Sequence, residues 1–300
     1  MIPTFNHGDY IRRAILSALD CQSSTLNVDV VVVDDGSEDD TEAIISECIS
    51  IGQPVIYLKQ KNSGPAVARN RGSSESNADF FIFLDADDEL QSRAVQSAVA
   101  LISEEPTAEI LIAGHNSISK FRKKYVSPGD VNDNKEVNLK RYLIKKKIKM
   151  CNGSVLIRRG AAKLYRYPES IYGAEDIPFF AHLLANCVAL RFDFPMVDVN
   201  KHAASFRHCH EYKTNSISDR LEVMFNSEEM PPWSFNYKNR CKGLLYLSKF
   251  RSLYHAGNYH RARASYLEAI NVSFISMFRF AYLRKYILSF FKRESSAPKN

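Results

Sequence analysis

The stretch Val28 to Ser37, VDVVVVDDGS, decides the fold. Its β-branched run has the length of a buried strand, and it ends on two acids and a glycine. GSEDDTEAIISECISIG (36–52) follows, with Ser37 placed to cap a helix and Asp40 three residues on, in the manner of a capping box. Strand therefore leads to helix. Working outward, HGDYIRRAILSALDCQ (7–22) carries Ile11, Ile15, Leu16 and Leu19 at helical spacing. PVIYLKQ (54–60) reads as a strand, GPAVARNRGSSES (64–76) as a helix opened by Pro65, and DFFIFLD (79–85) as a strand again. Strands alternating with helices at this spacing imply an α/β protein with a mainly parallel, layered sheet.

In such sheets ligands bind beyond the carboxyl ends of the strands. Three segments stand there: Pro3 to Asn6, Asp34 to Ser37 and Asp85 to Asp88. Two of them are acidic, and acids facing one crevice repel unless a cation or donors stand between them. A divalent metal resolves the conflict, since Mg²⁺ and Mn²⁺ take hard oxygen ligands and leave room for phosphate. In an extended segment Asp85 and Asp87, two apart, would point the same way. A calcium loop counted from Asp85 fails, because its glycine and glutamate positions hold Leu90 and Gln96.

The ordered set IPTFN (2–6), VVVDDGSEDDT (31–41), NSGPAVARNRG (62–72), FLDADDEL (83–90) and YGAED (172–176) resembles the family 2 glycosyltransferases, inverting nucleotide-sugar transferases of the GT-A fold. The resemblance implies a Rossmann-like, mixed but mainly parallel sheet flanked by helices, with a C-terminal helical extension. It implies that Pro3 and Thr4 border the nucleotide base, that Asp35 accepts from the uracil imide, and that Asp85 holds the ribose side. Arg69, one turn into its helix, would meet the diphosphate, and Asp87 would bind a bridging Mn²⁺ or Mg²⁺. Asp88 is left between a water-mediated role and a turn cap.

YGAEDIPFFAHLLA (172–185) places Glu175 and Asp176 at a helix start, where acids also favour the helix dipole without any other role. The resemblance makes Asp176 the general base. In KHAASFRHCH (201–210) it makes His208 a further metal ligand, with Arg207 an alternative contact for the diphosphate.

Length and composition bound the rest. Three hundred residues with 45% hydrophobic content suit a large α/β domain with an appendage. The expected division is residues 1–215, split at 115 into a nucleotide-sugar half and an acceptor half, and a helical region over 216–300. SPGDVNDNK (127–135) reads as a surface loop between the halves. The first strand, opening at Met1-Ile2-Pro3, is expected to be truncated or very short.

Six scattered cysteines without a CxxC pair argue against a zinc ribbon or a disulfide framework. No signal peptide and no uncharged apolar run of membrane-spanning length is seen, so a cytoplasmic protein is expected. The net charge of +6 is concentrated at 120–124, 140–149 and the last thirty residues. SFISMFRFAYLRKYILSFFKR (273–293) is both basic and aromatic, which suits peripheral contact with the cytoplasmic face of a membrane.

The expected activity is the transfer of one sugar from a nucleotide-sugar, a UDP-sugar by the resemblance, to a hydroxyl of a lipopolysaccharide, capsule or exopolysaccharide type glycan or its lipid-linked precursor. No nucleic-acid partner is implied. The QxxRW motif of processive synthases is missing, for the only tryptophan is Trp233 and no glutamine follows Gln96. Two alternatives share parts of this pattern. A sugar-1-phosphate nucleotidyltransferase would need a glycine-rich basic loop near the N-terminus, and a non-catalytic glycan-binding protein would keep the fold alone.

Overall fold

The computed structural model describes residues 1–201, 216–225 and 228–292. The chain divides into two compact units, Met1–Thr214 and Asn215–Asn300.

The first unit opens with β1 (Ile2–Thr4), α1 (Gly8–Leu19), β2 (Val30–Asp34), α2 (Thr41–Ser50), β3 (Val55–Lys59) and α3 (Pro65–Ser74). These form a parallel sheet in the order β1-β2-β3, with Val32 opposite both Ile2 and Tyr57. Alternation along β2 assigns its valines to opposite faces. Val30 and Val32 pack with Ile11 and Ile15 of α1 and Ile45 of α2. Val31 and Val33 pack with Ala68 of α3. A strand covered on both faces needs a continuous apolar run, which is what VVVV supplies.

β4 (Phe80–Phe81), β5 (Glu89–Leu90), α4 (Ser92–Glu104), β6 (Ile110–Ser119) and β7 (Arg122–Val126) follow. The unit continues with α5 (Lys135–Leu143), β8 (Val155–Arg158), α6 (Arg159–Leu164), α7 (Asp176–Asn186) and β9 (Ala189–Asn200). The second sheet runs β4-β8-β6-β9-β5, with β7 folded back on β6 as a hairpin. Only β6 and β9 run parallel in it; the other pairings are antiparallel. The first residue ties the chain before β1 to the segment that follows β4. The ammonium of Met1 donates to the Ile82 carbonyl (3.1 Å), and Leu84 N–H donates to the Met1 carbonyl (3.0 Å).

The helix after β2 begins later than a cap at Ser37 would set it. Asp34 accepts from Ser37 N–H (2.8 Å) and Gly36 takes a left-handed φ of 84°, so residues 34–37 close a turn. Ser37 Oγ then accepts from Asn6 N–H, and Asp39 accepts from Gly8 N–H and Thr41 N–H. Thr41 Oγ1 accepts from His7 N–H. The acidic turn thus ties the loop after β1 to the start of α2, a use that local spacing does not reveal.

The second unit holds α8 (Ile217–Phe225), α9 (Lys238–His255), α10 (Tyr259–Val272) and α11 (Phe280–Leu288). α9 and α10 are separated at Gly257, whose φ is 76°, and Asn258 caps α10 through Arg261 N–H. A 3-10 turn over Phe274–Phe278 separates α10 from α11. Leu247, Phe250, Tyr254 and Tyr266 form the core of this unit.

Asp34 is fully buried, and its two oxygens accept from Ser37 N–H and the Tyr57 hydroxyl (2.9 Å). Asp34→Ala strands both donors and is expected to lower unfolding free energy in urea by about 2–3 kcal/mol, against about 1 kcal/mol for Tyr57→Phe.

Candidate functional site

Strand ends and the loops after them build the site. Thr4 ends β1 and is buried with Pro3, its Oγ1 without a hydrogen-bond partner among the described residues. Phe5 and Asn6, which continue the chain, are exposed. One residue past β2, the Asp35 carboxylate accepts from Gln60 Nε2 (2.8 Å), Ser63 N–H (2.8 Å) and Gly64 N–H (2.7 Å). A carboxylate has about four acceptor positions, so one remains, on Oδ2. Asp35 thus fastens the loop before α3 and keeps one acceptor for a ligand donor. Gly64 has a φ of 96°, and a methyl there would lie 3.3 Å from the Tyr172 ring. The ring of Tyr172 therefore sits over the loop that Asp35 holds.

The acidic cluster at the end of the 79–85 segment is a turn rather than an extended stretch. Asp88 N–H donates to the Asp85 carbonyl (3.0 Å), so Asp85 and Asp87 occupy the first and third positions of a tight turn. Asp88 is buried and accepts from Asn200 N–H (2.8 Å) at the end of β9, while Asn200 Nδ2 donates to the Asp87 carbonyl (2.8 Å). Asp88 thus ties the turn to the end of β9. Asp85 and Asp87 are left half-buried.

Arg69, expected at a diphosphate, is instead turned into the protein. It is 6% exposed, and its terminal nitrogens donate to Asp85 (2.8 Å) and Glu175 (2.7 Å). The guanidinium also lies 4.9 Å from the centre of the Tyr167 ring, while Nε is buried without a partner among the described residues. Asp85 Oδ1 takes a second bond from Asn152 Nδ2 (3.0 Å), whose Oδ1 accepts from the Tyr167 hydroxyl (2.9 Å). Tyr167 stacks on Phe179 of α7 at 3.9 Å between ring centres. A helix-borne cation thus joins the acidic turn to the start of α7.

Asp176, the first residue of α7, follows Glu175 and is half-buried at the surface. Its pKa is pushed up to about 6, chiefly by burial and then by the charge of Glu175, with Arg69 acting the other way. A carboxyl poised near neutral pH suits proton abstraction. The preceding Gly173 and Ala174 both have left-handed φ, 72° and 66°.

The acidic turn carries two carboxylates of the hard-oxygen kind that Mg²⁺ or Mn²⁺ takes: Asp85, whose Oδ1 accepts from Arg69 and Asn152, and Asp87. Among the described residues no group of three or more His, Cys, Asp or Glu side chains is placed to hold a metal, so phosphate and water would have to complete the shell. His208, with His202, Arg207 and His210, lies outside the described residues. Arg71 donates to the Lys59 carbonyl and Gln60 Oε1 and takes no part in the cluster. A cavity of about 490 Å³ lies elsewhere, at the amino ends of the strands, lined by Asn27 to Val31 and Asp79 to Ile82.

Sequence reasoning missed Asn152, Tyr167 and the pairing of Glu175 with Arg69. No local pattern marks Asn152, for its partner lies 67 residues away.

Comparison with known proteins accords with this geometry. A family model described as glycosyl transferase family 2 matches residues 1–167. An uncharacterized glycosyltransferase of Haemophilus influenzae is 26% identical over 185 residues, which are 61% of this chain and 70% of that protein. The poly(ribitol-phosphate) beta-N-acetylglucosaminyltransferase TarP of Staphylococcus aureus is 32% identical over 145 residues, 45% of this chain and 43% of TarP. The chain spans only 17% of the glycosyltransferase GlyA of Streptococcus pneumoniae. Among solved structures, residues 1–349 of S. aureus TarS in complex with UDP-GlcNAc superpose with a TM-score of 0.66 at 20% identity, covering 96% of this chain and 88% of that one. With more than half its length matched by the family model, and with the α/β arrangement of the GT-A fold, this chain belongs to glycosyl transferase family 2.

Proposed function

We propose that the chain is a metal-dependent, inverting glycosyltransferase that moves one sugar from a UDP-sugar to a hydroxyl of a cell-surface glycan. The observation that carries this reading is Asp176, a carboxyl with a pKa near 6 held beside the acidic turn through the Glu175, Arg69 and Asp85 chain. UDP-GlcNAc bound to TarS and the poly(ribitol-phosphate) acceptor in the name of TarP support the donor and acceptor classes. We set the reaction in the cytoplasm.

The residues divide the work. Asp176 takes the proton from the acceptor hydroxyl as its oxygen bonds to the anomeric carbon. The carbon–oxygen bond to the donor diphosphate breaks on the opposite side, and its electron pair leaves with the phosphate. Asp35 offers its remaining lone pair to the base, with Pro3 and Thr4 at the end of β1 beside it. Asp85 orients the ribose through Oδ2. Asp87, with His208, would hold Mn²⁺ or Mg²⁺, which when bound neutralises charge on the leaving diphosphate. Arg69 acts through its partners: it fixes Asp85 and Glu175 and holds down the pKa of Asp176.

Asp176→Asn is expected to lower turnover by about 10²–10⁴-fold with donor affinity kept, read from product formation and calorimetric donor titration. Asp87→Ala, or chelation of the wild type, is expected to lose both turnover and tight donor binding. Donor titration of the folded wild type against UDP-, GDP- and dTDP-sugars with Mn²⁺ decides the reading, and failure to bind any of them would overturn it.

A base must be unprotonated to act, so kcat should fall as pH drops through about 6. Arg69 opposes the rise in the Asp176 pKa through its charge, so Arg69→Gln, which removes the charge, should move this limb to higher pH, and Arg69→Lys, which keeps it, should move it less. A purely structural Arg69 would lower stability and leave the limb where it is.

A further inference from the structure

The last helix of the second unit carries two apolar faces where one suffices. Tyr282, Leu283 and Tyr286 of α11 pack against the core of α9 and α10, and Tyr286 stacks on Tyr266 at 4.4 Å. The opposite side repeats at helical spacing: Phe280, Arg284, Ile287 and Leu288, continued by Phe291. Phe280 is 78% exposed and Phe291 83%, with Ile287 and Leu288 also exposed. The 3-10 turn before the helix adds Phe274 and Phe278, both exposed and packed edge to face on each other. So many large side chains in contact with water over one short segment exceed what a solvated surface needs.

The charge around this face narrows its occupant. Between Ala269 and Lys292 there is no acidic residue, while Arg279, Arg284, Lys285 and Lys292 all fall in it. Over residues 216–292 the unit has twelve Lys and Arg against five Asp and Glu. Exposed aromatics flanked by cations without counter-charge match a bilayer interface, where rings enter the headgroup layer and bases meet anionic lipid. Among the described residues no helix is long and apolar enough to cross a membrane. The segment is therefore suited to lie in the interface.

We propose that the outer face of α11 with the preceding 3-10 turn is an interfacial anchor for an anionic lipid bilayer. It stands on the exposed face and its charge alone, whichever sugar transfer the first unit performs. Anchoring would hold the chain at a surface where a lipid-linked acceptor is concentrated.

The test is sedimentation of the purified full chain, without donor, on phosphatidylcholine vesicles with and without 30% phosphatidylglycerol (about a third of the lipid, a typical anionic fraction). The expected result is binding to the anionic vesicles, weakened by salt, and little binding to neutral ones. The double variant Phe280→Ser/Phe291→Ser removes two exposed rings and should bind at least about tenfold more weakly with an unchanged circular dichroism spectrum. Arg284→Glu should cost about fivefold or more on anionic vesicles only. Absence of wild-type binding to anionic vesicles would overturn the proposal. So would a concentration-dependent dimer, seen by analytical ultracentrifugation, that the double variant abolishes while vesicle binding is unaffected.

Discussion

The site depends on one buried cation. Arg69 reaches from α3 to an acidic turn on one side and to the threshold of α7 on the other, so three segments distant in sequence share a single guanidinium. Planar geometry lets it bind both carboxylates at once, which a lysine would not reproduce. Two carboxylates beside an Asp176 already penalised by burial would be unfavourable without it, and truncating one partner of such a buried set typically costs about 3–5 kcal/mol. Fold stability and the electrostatics of Asp176 are therefore both influenced by the same side chain.

A division of labour among the acids follows from that arrangement. Asp34, Asp88 and Glu175 are occupied inside the protein, by a turn and a tyrosine, by the end of β9, and by Arg69. Asp35 is largely occupied, and Asp85 half so. Their neighbours Asp87 and Asp176 are half-buried, whereas Asp35 is buried like Asp34 and itself fastens the loop before α3. A doublet of acids at a strand end is thus a structural unit as much as a chemical one.

Much of the first unit was legible because its signals are local. The valine run, Pro65 at the start of α3 and the spacing in α1 each fix an element without reference to the rest of the chain. The ordered motifs carried the family. What stayed hidden depends on partners far apart: the inward turn of Arg69, the reach of Asn152 to Asp85, and the use of Asp39 and Thr41 to hold the loop after β1. Leu16, counted on the apolar face of α1, is substantially exposed, since an apolar residue one step off the stripe obeys the same spacing rule until the packing is seen. The expectation of a helical region over 216–300 likewise did not place the break at Gly257.

Ala174 gives the loop before α7 a further property. Side chains other than glycine and asparagine resist the left-handed region, at a cost of about 1–2 kcal/mol, yet Ala174 is held there beside Gly173. One residue later Glu175 accepts from Arg69 (2.7 Å), and Asp176 then opens α7. The direction in which the chain enters α7, and with it the position of Asp176, therefore passes through a residue held outside its preferred backbone region, a conformation that only the surrounding structure can maintain.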